Sequence, residues 1–226
     1  MIIHFTNKFE VLDSILTSSS FRITYCGEYF GDEKRVISSA AHPMVSFSEY
    51  PENEISKQKI TYGGYGVALK HEWAVLNKLN PVMYVEKNSQ AALGLAALLK
   101  ARQKTGKVEL PSALRLPVMQ IKCFTKHVSG YNSYFDKHDF YFKEENEWRF
   151  VPQKQDIGGY LISVNYSAFK KNKDKYNNRL LSFPLGFNIS DIEAIYVKTE
   201  AERHAVCQKF GIADSLIKIT PWETTI

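Results

Sequence analysis

An α+β fold is the class this sequence predicts, and three observations carry the prediction. Strand-like and helix-like segments follow one another in mixed order, which argues against a doubly wound parallel sheet built from strict alternation. Aromatic residues are plentiful, with 14 Phe, 13 Tyr and 3 Trp, a composition that suits strands and flat-ligand pockets alike. The stretch Lys143–Val151 sets three carboxylates and an Arg into a run of strand-forming residues.

Taken in order, Met1–Thr6 reads as a first strand, and Asn7 is placed to cap a helix carrying Phe9, Leu12, Ile15 and Leu16 at helical spacing, ended by Ser18–Ser20. Arg22–Ala41 shows no clear period and reads as a long surface loop. Met44–Glu49 is a strand ended by Tyr50-Pro51. The glycine-punctuated Thr61–Gly66 opens another, Val67–Leu69. His71–Leu79 reads as a short helix stopped by Asn80-Pro81, and Val82–Val85 as a strand. Ser89–Lys104 is the strongest helix, with Ala91, Leu95, Leu98 and Leu99 packing and Gly106 closing it. Val118–Phe124, Phe140–Val151, Leu161–Val164, Ile192–Val197 and Leu216–Ile219 read as strands, with a helix over Glu200–Phe210. No repeat, low-complexity tract or linker interrupts the 226 residues, so one domain over 1–226 is expected.

The net charge of +5 is mildly basic and partly concentrated in Lys170, Lys171, Lys173, Lys175 and Arg179. Such runs are most often solvated, and phosphate contact is the minority reading. Cys26, Cys123 and Cys207 are widely spaced with no C-x-x-C pair, which disfavours a disulfide framework or a zinc site and fits a reducing cytoplasm. No signal peptide is visible, and the apolar stretch Ala91–Leu99 is far too short to span a bilayer. His71-Glu72 begins like a zinc-protease helix, but Val75 stands where the second His belongs, so no metal is expected. No phosphate-binding loop, nucleophile elbow or dinucleotide fingerprint is present.

Strand alternation puts Glu145, Glu147, Arg149 and Val151 on one face and Asn146, Trp148 and Phe150 on the other. Acid and base at i and i+2 on a partly buried strand are either a structural ion pair or a working site, and both readings stay open. Candidate companions are spaced along the chain: His4 and Thr6 in the first strand, Ser46 and Phe47 in the second, and Tyr62 and Tyr65 around Gly63-Gly64.

This His, aromatic, Glu set resembles that of ADP-ribosyltransferases, and His4-Phe5-Thr6 with the following helix resembles the opening of the DarT-like, DNA-modifying branch. More closely, His4-Phe5-Thr6, Met44–Glu49, Tyr62–Val67 and Asn80–Val85, with Glu147-Trp148-Arg149 as a distant anchor, make the chain similar to the AbiGi group of bacterial abortive-infection proteins. The first resemblance implies an ADP-ribosyltransferase-like split sheet with flanking helices, and NAD as co-substrate. His4 would then lie at the ribose region and Phe47 with Tyr62 or Tyr65 at the nicotinamide, with Thr6 and Ser46 also at the cofactor; Glu147 would orient the ribose as the catalytic carboxylate, and Arg149 would position Glu147 or bind pyrophosphate. The second implies phage defence. Together they predict a cytoplasmic ADP-ribosyltransferase toxin acting on nucleic acid, RNA before DNA, with a cognate antitoxin and a chaperone as partners and no membrane contact. The alternatives are a non-catalytic antitoxin or binding module, and a ribonuclease. One ionised carboxylate beside an oxocarbenium-like transition state suffices for the transferase chemistry, because nicotinamide leaves without general acid help.

Overall fold

A computed structural model of the chain describes residues 1–31, 35–103, 108–132 and 135–224. The α-helices among them are α1 (Phe9–Ser18), α2 (His71–Leu76), α3 (Gln90–Arg102), α4 (Ser112–Cys123), α5 (Tyr166–Lys171), α6 (Lys173–Asn178) and α7 (Glu200–Phe210). The principal strands are β1 (Ile2–Thr6), β2 (Thr24–Gly31), β3 (Val36–Glu49), β4 (Tyr65–Leu69), β5 (Met83–Val85), β6 (Thr125–His127), β7 (Glu147–Phe150), β8 (Ile192–Val197) and β9 (Ile217–Ile219). The fold is α+β, as the element order predicts. The chain forms two compact units, one from Met1–Arg22, Val45–Asn80 and Pro184–Ile226, the other from Ile23–Met44 and Pro81–Phe183.

The first unit is a mixed sheet. β1 pairs antiparallel with β4, from Ile2 opposite Leu69 to Thr6 opposite Tyr65, and on its other side with the end of β3, Ile2 opposite Glu49. β8 pairs antiparallel with β4 and parallel with β9, with α7 as the connection. Helix α7 is bounded by its own sequence. Thr199 and Glu202 form a reciprocal capping box, and Gly211 takes the left-handed conformation at the other end. The core joins Ile3, Tyr50, Ile55, Ile60, Ala68, Ala194, Tyr196 and Trp222. Trp222 buries its ring there and donates its indole N–H to the Gly63 carbonyl at 3.1 Å. Gly63 has φ +129°, and a Cβ on it would collide with the Thr6 carbonyl. Gly63 therefore serves a close approach between two backbones, while Gly64 lies against the Lys198 side chain.

The second unit rests on the β2–β3 hairpin, in register from Thr24 opposite Met44 to Phe30 opposite Ser38. Where the sequence predicts a surface loop over Arg22–Ala41, there are two strands. The period is missing because β3 is buried along almost its whole length on both faces, and such strands do not alternate. A second correction concerns Val118–Phe124, which is the end of helix α4 and not a strand. Its buried residues, Val118, Met119, Lys122 and Cys123, sit at helical spacing, and a short apolar run does not distinguish the two cases. Leu161–Val164 contributes only a two-residue pairing, Val164 and Asn165 against Ala41 and Ala40. Phe30, Ile37, Ala92, Leu95, Ala96, Leu99, Leu110, Val118 and Met119 make the core under α3 and α4.

Helix α1 starts after Lys8 with no side-chain cap, so Asn7 does not cap it, although Ser19 closes it in the left-handed conformation. Helix α3 is capped by Ser89, whose hydroxyl accepts from the Ala92 N–H. The expected continuation to Lys104 and closure by Gly106 lie outside the described residues. The basic run forms α5 and α6, with its Lys and Arg side chains exposed.

Candidate functional site

The stretch Lys143–Val151 is not one strand. Phe142–Glu145 makes a 3-10 turn, Asn146 takes φ +41°, and β7 begins only at Glu147. Glu145 thus reaches its place from the turn and not from strand alternation, which corrects the expected face. Within β7 the alternation holds, but both faces are covered, with Glu147 7%, Trp148 8% and Arg149 1% exposed.

Arg149 is the hub of a buried charge network in the second unit. Its Nε donates to Glu147 Oε1 at 2.7 Å and its Nη2 to Glu147 Oε2 at 2.9 Å, a bidentate pair from neighbouring same-face positions. Nη2 also donates to Glu28 at 2.9 Å, and Nη1 to the Cys123 carbonyl at 2.6 Å. The last contact ties β7 to the C-terminal end of α4, where a cation is favoured by the helix dipole. Lys126 Nζ donates to Glu145 at 2.7 Å and to Glu147 at 3.2 Å, and lies 4.2 Å from the centre of the Phe142 ring. The Glu147 backbone N–H donates to the Tyr84 hydroxyl at 3.0 Å. Burial by itself lowers the pKa of Arg149 and of Lys126, yet the neighbouring carboxylates hold both well above their ordinary values. Both cations stay charged.

Lys122 adds a third cation, 1% exposed. Its Nζ lies 3.2 Å from His42 Nε2, and His42 Nδ1 lies 3.0 Å from the Ile162 carbonyl. That carbonyl can only accept, so Nδ1 carries the proton and Nε2 accepts from Lys122. Burial, reinforced by the charge of Lys122, takes His42 down to about 3. Burial, opposed by Glu28, takes Lys122 down to about 8. Three carboxylates (Glu28, Glu145, Glu147) thus share one region with three cations: Lys126 and Arg149 pair with them directly, and Lys122 feels the field of Glu28. Among the described residues no buried side-chain N or O atom lacks a hydrogen-bond partner.

The other expected site residues belong to the first unit. His4, Ser46 and Phe47 come together there: His4 Nδ1 donates to the Ser46 carbonyl at 2.9 Å, and its ring lies 5.5 Å from Phe47. Burial lowers the His4 pKa against the opposing effect of the Ser46 carbonyl. Phe47 is ringed by Phe21 at 5.1 Å and Trp73 at 5.6 Å. Thr6 and Tyr65 are cross-strand partners. The Tyr65 hydroxyl donates to Glu202 at 2.7 Å, and burial raises its pKa to about 12. Tyr62 is exposed.

Glu28, His42, Lys122, Lys126 and Tyr84 are the members that sequence reasoning does not find. Lys122 carries a usable signal, a single cation inside the apolar run Val118–Phe124. The rest arrive from distant segments, and nothing local marks them.

Among the described residues, no group of three or more His, Cys, Asp or Glu side chains could hold a metal ion, and no helix is long and apolar enough to cross a membrane. No curated protein and no solved structure matches the chain, so nothing supports the expected ADP-ribosyltransferase-like split sheet. A family profile described as "Putative abortive phage resistance protein AbiGi, antitoxin" matches residues 19–198. That span holds every member of the charge network and leaves His4 and Thr6 outside. It covers well over half of the 226 residues, and the chain belongs to the AbiGi family of abortive phage resistance proteins.

Proposed function

We propose that the chain is the non-catalytic antitoxin of an abortive-infection pair, acting by binding a cognate toxin protein. One observation supports this over the transferase reading. Both oxygens of Glu147, the carboxylate best placed in sequence for chemistry, are engaged by Arg149 and Lys126 in a buried and charge-balanced setting. A ribose-orienting role would require Glu147 to exchange these partners for a sugar hydroxyl, and losing a partner from a buried pair is costly. A binding module needs no free carboxylate. It needs a rigid scaffold, and a saturated ionic network supplies one.

The test is expression in cells, alone and with the toxin encoded beside it. The chain alone is expected to leave growth unchanged, and co-expression to relieve the arrest caused by the toxin. Growth arrest by the chain alone, abolished by Glu147→Gln, overturns the proposal. Calorimetry with NAD adds a second readout. No heat is expected, and micromolar binding revives the NAD-dependent ADP-ribosyltransferase acting on nucleic acid.

A further inference from the structure

Helices α3 and α4 pack together over the core of the second unit. Their outward faces are apolar as well, apart from the exposed Gln90 and Gln120. On α3, Ala91, Leu93, Gly94, Ala97 and Leu98 are exposed, and on α4, Ala113, Leu114, Leu116, Pro117 and Ile121. By helical spacing each set makes one continuous arc opposite the buried residues. Leu93, Leu98, Leu114, Leu116 and Ile121 each stay 40–50% exposed. A helix apolar on both faces belongs in an interior, and here one side has no cover within the described residues. Each arc runs along a helix of roughly 20 Å, and together they expose more than scattered surface Leu residues.

The charges around this face state what fits on it. Neither helix contains an Asp or Glu, while Lys100, Arg102 and Arg115 are partly exposed; Lys122, the fourth cation, is turned inward to His42. Arg102 donates to the Arg115 carbonyl at 3.2 Å, and its pKa is lowered first by burial and then by the charge of Arg115. An anion placed beside this pair would relieve the charge that Arg115 imposes on Arg102. A second copy of the chain would bring like charge to like charge, which disfavours self-association. The outward arcs contain no Trp, Tyr or Phe, the residues that anchor a helix at a lipid interface. Gly94 has open space where a side chain would stand, which leaves room for a packed protein surface.

We infer that the α3–α4 face is the toxin-docking surface and that its occupant is a toxin segment with an apolar face flanked by carboxylates. This inference rests on the antitoxin reading and names the surface that reading lacks. Arg149, by holding the Cys123 carbonyl, fixes the end of α4 and so positions the face.

The experiment measures binding of the co-encoded toxin by the full chain, with circular dichroism as the check on folding. Leu98→Glu with Leu116→Glu is expected to weaken binding by at least about 30-fold, as loss of central anchors does. Arg115→Glu is expected to weaken it and reduce its salt dependence, and Leu76→Glu, an exposed position in the first unit, to leave it unchanged. Wild-type chain that fails to bind the toxin sinks the antitoxin reading and this surface with it. Wild-type binding that survives Leu98→Glu/Leu116→Glu overturns the surface alone. Two further results overturn the choice of occupant: dimerisation in sedimentation that these substitutions abolish, or flotation with phosphatidylglycerol vesicles that they abolish.

Discussion

The two units solve the problem of a stable interior differently. In the first, apolar and aromatic side chains around Tyr196 and Trp222 fill the core, and polar groups enter as single local pairs such as Tyr65 with Glu202. In the second, an apolar core under α3 and α4 is joined by a buried network of six charged groups and a neutral His42. Area burial is non-directional and tolerates repacking. A buried ionic network tolerates only the arrangement in which every member is paired. The contrast predicts that the second unit depends on single residues in a way the first does not.

Removing the hub breaks that contrast most sharply. Arg149→Ala leaves the buried Glu147 and the part-buried Glu28 beside a missing cation, and is expected to cost about 3–5 kcal/mol in chemical denaturation. Replacing Arg149, Glu147 and Glu28 together by Met, Leu and Gln should recover much of the loss, because a buried pair is often matched by apolar residues of similar size and no carboxylate is then left without its cation. If Arg149→Ala alone costs less than 1 kcal/mol, the network does not hold this unit together.

A second test uses pH. His42 is held near 3 in the folded chain against an ordinary 6.5. The unfolded chain therefore binds a proton that the folded chain refuses between those values. The contribution is complete above pH 6.5 and lost as pH falls toward 3, by roughly 4 kcal/mol. The wild-type melting curve should fall more steeply over that range than that of His42→Asn. Equal slopes would show that His42 does not carry this pH dependence. The smallest effect belongs to the first unit, where Tyr65→Phe removes one hydrogen bond and is expected to cost about 1 kcal/mol in the same denaturation measurement.

These differences also explain what is legible in the sequence. The β8–α7–β9 segment reads correctly almost to the residue, because Thr199, Glu202 and Gly211 mark the helix ends locally. The pairing of Glu147 with Arg149 is legible too, since i and i+2 share a strand face. Their partners are not. Glu28 lies 121 residues from Arg149, and His42 80 residues from Lys122, so only the fold's register unites them. The β2–β3 hairpin escapes detection because burial on both faces erases the period that marks a strand. The outward apolar arcs of α3 and α4 are present in the sequence, but they read as core residues until exposure separates the two faces.

Lys122 carries one more consequence. An amine held down at about 8 is uncharged for much of the time in mildly alkaline buffer, and an uncharged amine attacks acylating reagents that ordinary lysines resist. Yet its side chain is sealed, so reagent reaches it only when the surrounding structure opens. Its labelling rate then acts as a clock on the opening of the second unit, running slowest when that unit is clamped by whatever it binds.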